Sequence, residues 1–388
     1  MSAARLAAIS TVAQKLLRKN HKAAFVIEVD PFVQSSHGWR TIFRYPAPVF
    51  VRTRLLQLAE GMKGRRIVVY GDIVADRFIY GTPKRISREA PVLILRQYRD
   101  DVLLGAAGNA INNIASLGGV PIPVSVLGED AQGQQLVDAM TAQGIDCRGV
   151  VRASRYNTPT KVRILGGMPH ASRQQIVRYD IEDHCDLTES EAARFEEVLG
   201  EQMAAGHAGL ISDYGNGTVT QPLAAALSRA AGVKPVTLDS RYDLLRYPGV
   251  TAATPNEEEA AAAAGTSLFN GDDSEQRLQQ VGETLRGTLG CEALLITRGS
   301  RGMALFDRAK SAPVFIPVYG TDQVADVTGA GDTVIATFTL ALAAGASFVE
   351  AAKIANYAGG IVVMKMGTAT VSHDELRRAI ERDEALNE

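Results

Sequence analysis

The sequence predicts an α/β protein with a mainly parallel central sheet, helices on both of its faces, and a second, smaller sheet. Three observations carry that prediction. From Arg66 onward, short apolar runs alternate with helical stretches, a rhythm that builds parallel sheets covered on both faces. Several of these runs end in an acid or hydroxyl residue (Asp72, Asp213, Asp239 and Thr297), and ligands of open α/β sheets gather at the carboxyl edge of the strands. Two further segments, 160–165 and 175–179, alternate apolar and polar side chains as half-buried strands do, which suits a small sheet exposed on one face.

Taken in order, residues 3–19 place apolar side chains at helical spacing and close on a basic turn. Residues 23–50 follow with aromatics, Pro31, Pro46 and Pro48, so residues 1–50 read as an extension ahead of a main domain over residues 51–388. Residues 1–66 hold 12 Lys or Arg against 3 Asp or Glu, which leaves the remainder acidic. Strands are expected at 67–70, 91–95, 124–127, 209–213, 235–239 and 293–297, besides the two alternating segments. Helices are expected over 108–117, 190–205, 221–231, 256–264 and 274–289.

At 388 residues, 46% of them hydrophobic, the chain can bury a large core. A formal net charge of -2 argues against nucleic acid or a membrane surface as partner. No apolar run reaches the roughly 18 residues of a membrane-spanning helix. The first 20 residues, interrupted by Arg5 and Lys15, do not read as a secretory signal. Cys147, Cys185 and Cys291 fit no metal spacing and read as small apolar side chains of a reduced, cytoplasmic protein. The six histidines show no ligand spacing either.

The strongest chemistry lies in Asp326-Val327-Thr328-Gly329-Ala330-Gly331-Asp332, which runs into an apolar helix from Thr333. A small-residue turn opening a helix presents free backbone N–H groups and the positive dipole end to an anion. Glycine leaves room for close approach. A carboxylate at the same helix start can accept the proton of an attacking hydroxyl while the N–H groups stabilise a transferred phosphoryl group. A glycine-rich turn with Asp332 as a helix cap is the plainer alternative for this segment alone.

The segment resembles the C-terminal signature of the ribokinase-like (PfkB) carbohydrate kinases, and residues 105–118 (GAAGNAINNIASLG) resemble their N-terminal signature, in matching order and separation. The resemblance covers residues 55–380, roughly. It implies a ribokinase-like three-layer fold whose small β-sheet is a lid built from segments near 80–104 and 155–183. It also implies ATP and Mg²⁺ as cofactors and a sugar hydroxyl as acceptor. Within the family, residues 71–81 (GDIVADRFIYG), 85–92 (RISREAPV), 158–163 (TPTKVR), 174–178 (QQIVR), 212–214 (SDY) and 367–372 (GTATVS) resemble the kinase domain of bacterial ADP-heptose synthesis. That branch implies transfer to the anomeric hydroxyl of D-glycero-D-manno-heptose 7-phosphate, giving the 1,7-bisphosphate on the way to lipopolysaccharide core. Bifunctional members carry an adenylyltransferase domain after the kinase. The chain stops at Glu388, so a separate adenylyltransferase is expected to act next. A homodimer through the lid sheet is implied as well.

The resemblance also assigns roles. Asp332 is the general base, with Gly329, Ala330 and Gly331 as the anion hole. Asp72 and Asn109 match sugar contacts, Asp76 is a second hydroxyl-binding candidate, and Gly105 lets the backbone approach the sugar. Relatives usually have two adjacent glycines there; Gly105-Ala106 narrows the space. A substrate that already carries a phosphate needs a cationic anchor. Lys161, Arg163 and Arg178, at alternating strand positions, are the candidates, with Arg85 and Arg88 in the preceding lid segment. Asn256 and Glu259 are expected to organise Mg²⁺ through water. Thr297, Gly299, Gly302 and Asn356 are expected around the nucleotide, with Asp239 and Arg241 beside it. Asp326 and Thr328, with the Gly367 loop, match a site for a monovalent cation such as K⁺. The competing readings are a kinase for another sugar, sugar phosphate or nucleoside, and a non-catalytic binding regulator. The intact Gly329–Asp332 turn argues against the last.

Overall fold

The computed structural model describes residues 47–168, 173–267, 274–320 and 325–387. The helix expected over residues 3–19, and with it most of the basic extension, lies outside them. The chain divides into two compact units, residues 1–54 with 383–388 and residues 55–382. In the described part of the first, Arg52 donates to the carbonyl of Asp383 at 2.5 Å.

Elements follow one another as the periodicity dictates. Helix α1 (Ala47–Gly61) precedes strand β1 (Arg66–Gly71), the long hairpin β2 (Ile73–Ile86) and β3 (Leu93–Ala106), and α2 (Ala107–Ser116). Next come β4 (Val120–Gly128), α3 (Ala131–Ala142), β5 (Val150–Ala153), β6 (Thr160–Gly166) and β7 (Gln174–Ile181). The alternating half contains α4 (Glu189–Ala205), β8 (Ala208–Asp213), α5 (Gln221–Ala231), β9 (Val236–Ser240), β10 (Ala252–Ala253), α6 (Glu257–Ala263), α7 (Ser274–Leu289) and β11 (Ala293–Thr297). The hairpin β12 (Met303–Asp307) and β13 (Val314–Ile316) precedes α8 (Ala330–Ala343), α9 (Phe348–Val362) and α10 (His373–Arg382).

The main sheet runs β13-β12-β11-β10-β9-β8-β1-β4-β5. Its strands from β11 to β5 pair in parallel, and β12 and β13 form an antiparallel edge. The central strands are short apolar runs because both faces are covered; Ile67, Val68, Val69 and Tyr70 are all buried. Helix α8 is buried along most of its length, so its polar positions need partners. The Thr337 and Thr339 hydroxyls donate to the carbonyls one turn back, each at 2.7 Å.

The small sheet runs β3-β2-β6-β7. It is larger than the sequence suggests. Only 91–95 reads as a strand in this region, whereas β2 and β3 each span 14 residues and begin directly after Asp72. The polar run Arg96-Gln97-Tyr98-Arg99-Asp100-Asp101 looks like loop but pairs with β2. The Arg77–Asp100 ion pair at 2.7 Å ties the strands across the hairpin. Strand β6 is half-buried as expected, but β7 is exposed at every position because it forms the sheet edge. Cys185 and Cys291 are buried and Cys147 is partly so; all three are free thiols. Among the described residues, no helix is long and apolar enough to cross a membrane.

Candidate active site

Asp332 lies in the first turn of α8, behind Gly329 at its N-cap. Gly329 adopts φ 77°, the left-handed conformation that glycine supplies without strain, and a Cβ there would stand 2.3 Å from the Asn109 amide. The first N–H groups of a helix have no intrahelical acceptor, so this turn offers donors to an anion. Among the described residues, apart from its chain neighbours and the helix's own backbone, nothing stands within 4 Å of where a Gly331 Cβ would be, so this side of the turn is open.

The Asp332 carboxylate is held from two sides. The Asn109 amide donates to one oxygen at 3.0 Å and the Tyr214 hydroxyl to the other at 2.8 Å. Burial pushes its pKa up to about 6, although both donors favour the charged form and oppose the rise. Asp76 adds to the rise and Lys161 opposes it. Asn109 is itself oriented: Asn113, one turn on along α2, donates to its side-chain oxygen at 3.3 Å and its carbonyl at 3.0 Å. The sequence motifs contained Tyr214 and Asn113 but gave neither a role.

The two acids expected at the sugar separate. Asp72 is 1% exposed, and its oxygens accept the backbone N–H groups of Tyr214, Asn216 and Thr218 at 2.8, 3.2 and 3.2 Å. Asp72 thereby anchors the turn that carries Tyr214. Burial pushes its pKa up to about 6, against the pull of those N–H groups. Asp76, also expected at the sugar, pairs with Arg163 at 2.5 Å. The Arg163 guanidinium, expected at a distal phosphate, has a carboxylate partner within the lid. Gly105 makes room for it, since a Cβ would stand 2.5 Å from the Asp76 carboxylate. Ala106 has φ 55° and ψ -129°, alone among the described non-glycine residues in having a positive φ.

Lys161 and Arg178 meet in a cavity of about 240 Å³ between the lid and the loop after β8. Thr160, Tyr214, Asn216, Arg241 and Tyr242 also line it. The Lys161 ammonium lies 5.5 Å from the Tyr214 ring centre. Arg178 is paired with Asp180 at 2.6 Å. Arg85 and Arg88 lie at the exposed end of the β2–β3 hairpin. Arg241, expected either to contact phosphate or to be a surface side chain, lines this cavity and is half exposed.

Along the other strand ends, Asn256 caps α6 by accepting the Glu259 N–H at 2.8 Å, while Glu259 accepts the Asn256 N–H at 2.9 Å. The Asn256 side chain is thereby committed to its helix, and Glu259 keeps one oxygen, which pairs with Arg241 at 3.0 Å. Burial, then the neighbouring Glu259 charge, pushes Asp239 well above the usual carboxylate range. Burial pushes Glu259 up as well, opposed by the Asn256 N–H and by Arg241. No group of three His, Cys, Asp or Glu side chains forms a metal cage among the described residues. A partly buried acid pair sharing one guanidinium instead suits a divalent ion that keeps its waters and takes phosphate oxygens as further ligands.

Thr297 ends β11 and bridges to Asn256. Gly299 and Gly302 adopt φ 55° and 76°, and a Cβ on Gly302 would stand 2.1 Å from the Ile316 carbonyl. Asn356, on α9, donates to the Pro317 carbonyl at 2.9 Å. Asp326 accepts the N–H of Thr328 at 2.9 Å and of Gly367 at 3.0 Å, tying those turns together. Burial raises the Asp326 carboxyl, but these N–H groups outweigh it and hold it below its ordinary value.

A parallel sheet with acids at its strand ends and a buried carboxylate at a glycine-opened helix defines a phosphotransferase-like cleft. The chain belongs to the pfkB family of carbohydrate kinases, whose family model matches residues 65–375. It is therefore a phosphotransferase acting on a sugar hydroxyl, in a family that uses ATP with a divalent metal. It is 38% identical over 312 residues to the bifunctional protein HldE of Geobacter sulfurreducens, covering 80% of this chain and 61% of that one. Identity to HldE of Geobacter metallireducens is 40% over 312 residues, covering 80% and 61%. The chain thus spans about three-fifths of the length of these curated relatives. Among solved structures, Escherichia coli phosphofructokinase-2 in complex with potassium is similar with a TM-score of 0.66, at 19% identity over 82% of this chain and 98% of that one. Arabidopsis thaliana ribokinase complexed with ribose and ATP has a TM-score of 0.61, at 20% identity over 83% and 100%. At such identities these two likenesses establish the fold alone, a mainly parallel α/β sheet with a small separate sheet.

Proposed function

We propose that this kinase transfers the γ-phosphoryl group of ATP to the anomeric hydroxyl of D-glycero-D-manno-heptose 7-phosphate. The observation that carries the reading is the buried Asp332 carboxylate at the start of α8, held by Tyr214 and Asn109. Asp332 takes the proton of the anomeric hydroxyl. The sugar oxygen then bonds to the γ-phosphorus, the bond to the bridging oxygen breaks, and ADP leaves with that electron pair. The N–H groups of the Gly329–Gly331 turn stabilise the charge on the transferred group. Lys161 and Arg178 hold the distal phosphate, and Asn109 with Asp76 orients the sugar. Mg²⁺ would neutralise phosphate charge beside Glu259 and Asp239, with Asn256 positioning Glu259. Thr297, Gly299, Gly302 and Asn356 are assigned to the nucleotide, and Asp326 and Thr328 to K⁺.

The heptose acceptor rests on the motif resemblance of the lid and on the cationic cavity. An adenylyltransferase acting next, a cytoplasmic location and a homodimer through the lid sheet belong to the same reading. A kinase for another phosphosugar is the second reading, because Ala106 narrows the space beside the sugar. A coupled ADP-release assay across heptose 7-phosphate, fructose phosphates, ribose and adenosine decides between them. Highest kcat/KM is expected for heptose 7-phosphate. Preference for ribose or adenosine would refute the phosphosugar, and no turnover on any would favour a regulator. Lys161→Ala is expected to raise KM for the phosphosugar; equal loss on an unphosphorylated sugar would remove the cavity assignment.

A further inference from the structure

Arg241 belongs to two neighbourhoods at once. Its side chain is half exposed (51%) and lines the cavity of Lys161 and Arg178, while its Nη1 lies 3.0 Å from Oε1 of Glu259, which is 12% exposed. The other Glu259 oxygen is committed to the Asn256 N–H. The link with Arg241 is therefore what occupies the oxygen that would otherwise face a cation. Arg241 is also the cation that opposes the charge of Asp239 in this group. On the cavity side, Lys161 carries its ammonium over the Tyr214 ring, and Arg178 is already paired with Asp180. A phosphate entering there meets three cationic side chains, and Arg241 is the one whose present partner is Glu259 beside Asp239.

We infer that Arg241 is a specificity-determining residue shared between the distal phosphate of the substrate and Glu259, so that phosphosugar binding and divalent-metal binding strengthen each other. This rests on the phosphosugar reading above. A dianionic phosphate offers a guanidinium a bidentate partner, whereas Glu259 offers it a single oxygen. When the phosphate engages Arg241, the Glu259 oxygen loses its cation beside the partly buried Asp239. An acid pair left without a counter-charge favours a divalent ion in its place. Coupling of this kind is reciprocal: whatever factor the phosphosugar adds to metal affinity, the metal adds to phosphosugar affinity. An unphosphorylated sugar leaves Arg241 on Glu259 and produces no such effect.

Calorimetric titration of the full chain without nucleotide tests this. Mn²⁺ serves as the metal probe, with heptose 7-phosphate, the unphosphorylated heptose, or neither present. The Mn²⁺ Kd is expected to fall by about 5-fold or more with the phosphorylated sugar only. An unchanged Kd would overturn the inference. Two variants read the shared arginine directly. Glu259→Gln keeps an oxygen for the helix cap and releases Arg241, so heptose 7-phosphate and sulfate should both bind several-fold more tightly without metal. Arg241→Gln should weaken heptose 7-phosphate and abolish the dependence of Mn²⁺ binding on it. Persistence of that dependence in Arg241→Gln would also overturn the inference. The two levels fail separately. Heptose 7-phosphate that does not bind, with sulfate bound more tightly by Glu259→Gln, removes the substrate and keeps the shared arginine. Heptose 7-phosphate that is bound and phosphorylated, with Glu259→Gln affecting neither ligand, removes the shared arginine and keeps the substrate.

Discussion

Burial costs Asp332 stability and at the same time tunes it as a base. Its pKa of about 6 stands above the roughly 3.9 of an aspartate in an unfolded chain. A carboxyl raised by folding stabilises the folded state at low pH, and that contribution is lost as pH rises from about 4 through 6, amounting to about 3 kcal/mol. Asp332→Asn is therefore expected to lower kcat by about 10²–10⁴-fold, yet to melt above the parent protein at pH 8, with the gap closing near pH 4. Thermal melts across pH and a coupled assay check the two halves. The ionised form is the one that accepts the proton, so kcat/KM is expected to fall below about pH 6. Tyr214→Phe removes a donor to that ionised form and is expected to move the acid limb up by about one pH unit. A pH–rate profile unmoved by Tyr214→Phe would leave the hydroxyl a merely structural role. Asp72 differs in kind. Asp72→Asn turns a donor toward N–H groups that need an acceptor, so a loss of about 1–3 kcal/mol in stability is expected, with KM unchanged. Denaturant melts and saturation kinetics separate those effects.

The β2–β3 hairpin carries the least sequence-legible part of the fold and the tightest constraint on the site. Its polar stretch from Arg96 to Asp101 has no strand-like alternation, because it pairs as a lid strand whose ion partners lie across the hairpin. Its end delivers Gly105 against the Asp76 carboxylate and Ala106 at φ 55° into the start of α2. An alanine at such a backbone conformation is strained by about 1–3 kcal/mol, part of which glycine recovers. Ala106→Gly is expected to stabilise the protein by about 1 kcal/mol, read as a higher denaturation midpoint with an unchanged m value. Helix α8 was legible by contrast. Its small-residue start and apolar body are local features, and Thr333, Thr337 and Thr339 all donate to carbonyls one turn back, although Thr339 also meets Thr237.

At the scale of the whole molecule, β7 leaves one edge of the small sheet unpaired among the described residues. Strand β7 is exposed throughout, and Ile176, Val177 and Tyr179 are 46–47% exposed on it. An unpaired apolar edge strand is a template for pairing, so Val177→Lys is expected to convert the proposed homodimer to a monomer by light scattering. A parent protein already monomeric would remove the dimer. The sequence by itself determined the strand–helix alternation of the central sheet, the acids at the strand ends and the small-residue turn before Asp332. Those are matters of apolar period and backbone freedom within a few neighbouring residues. Tertiary structure alone decided which side chains share the site. Tyr214 meets Asp332 across 118 positions and Arg163 meets Asp76 across 87, while Asp72 accepts the N–H of Tyr214. Arg241 meets Glu259 across 18 positions and lines the cavity of Lys161 and Arg178 for the same reason. Partners are chosen by burial and by which donors and acceptors folding brings within reach, and no local pattern in the chain records that choice.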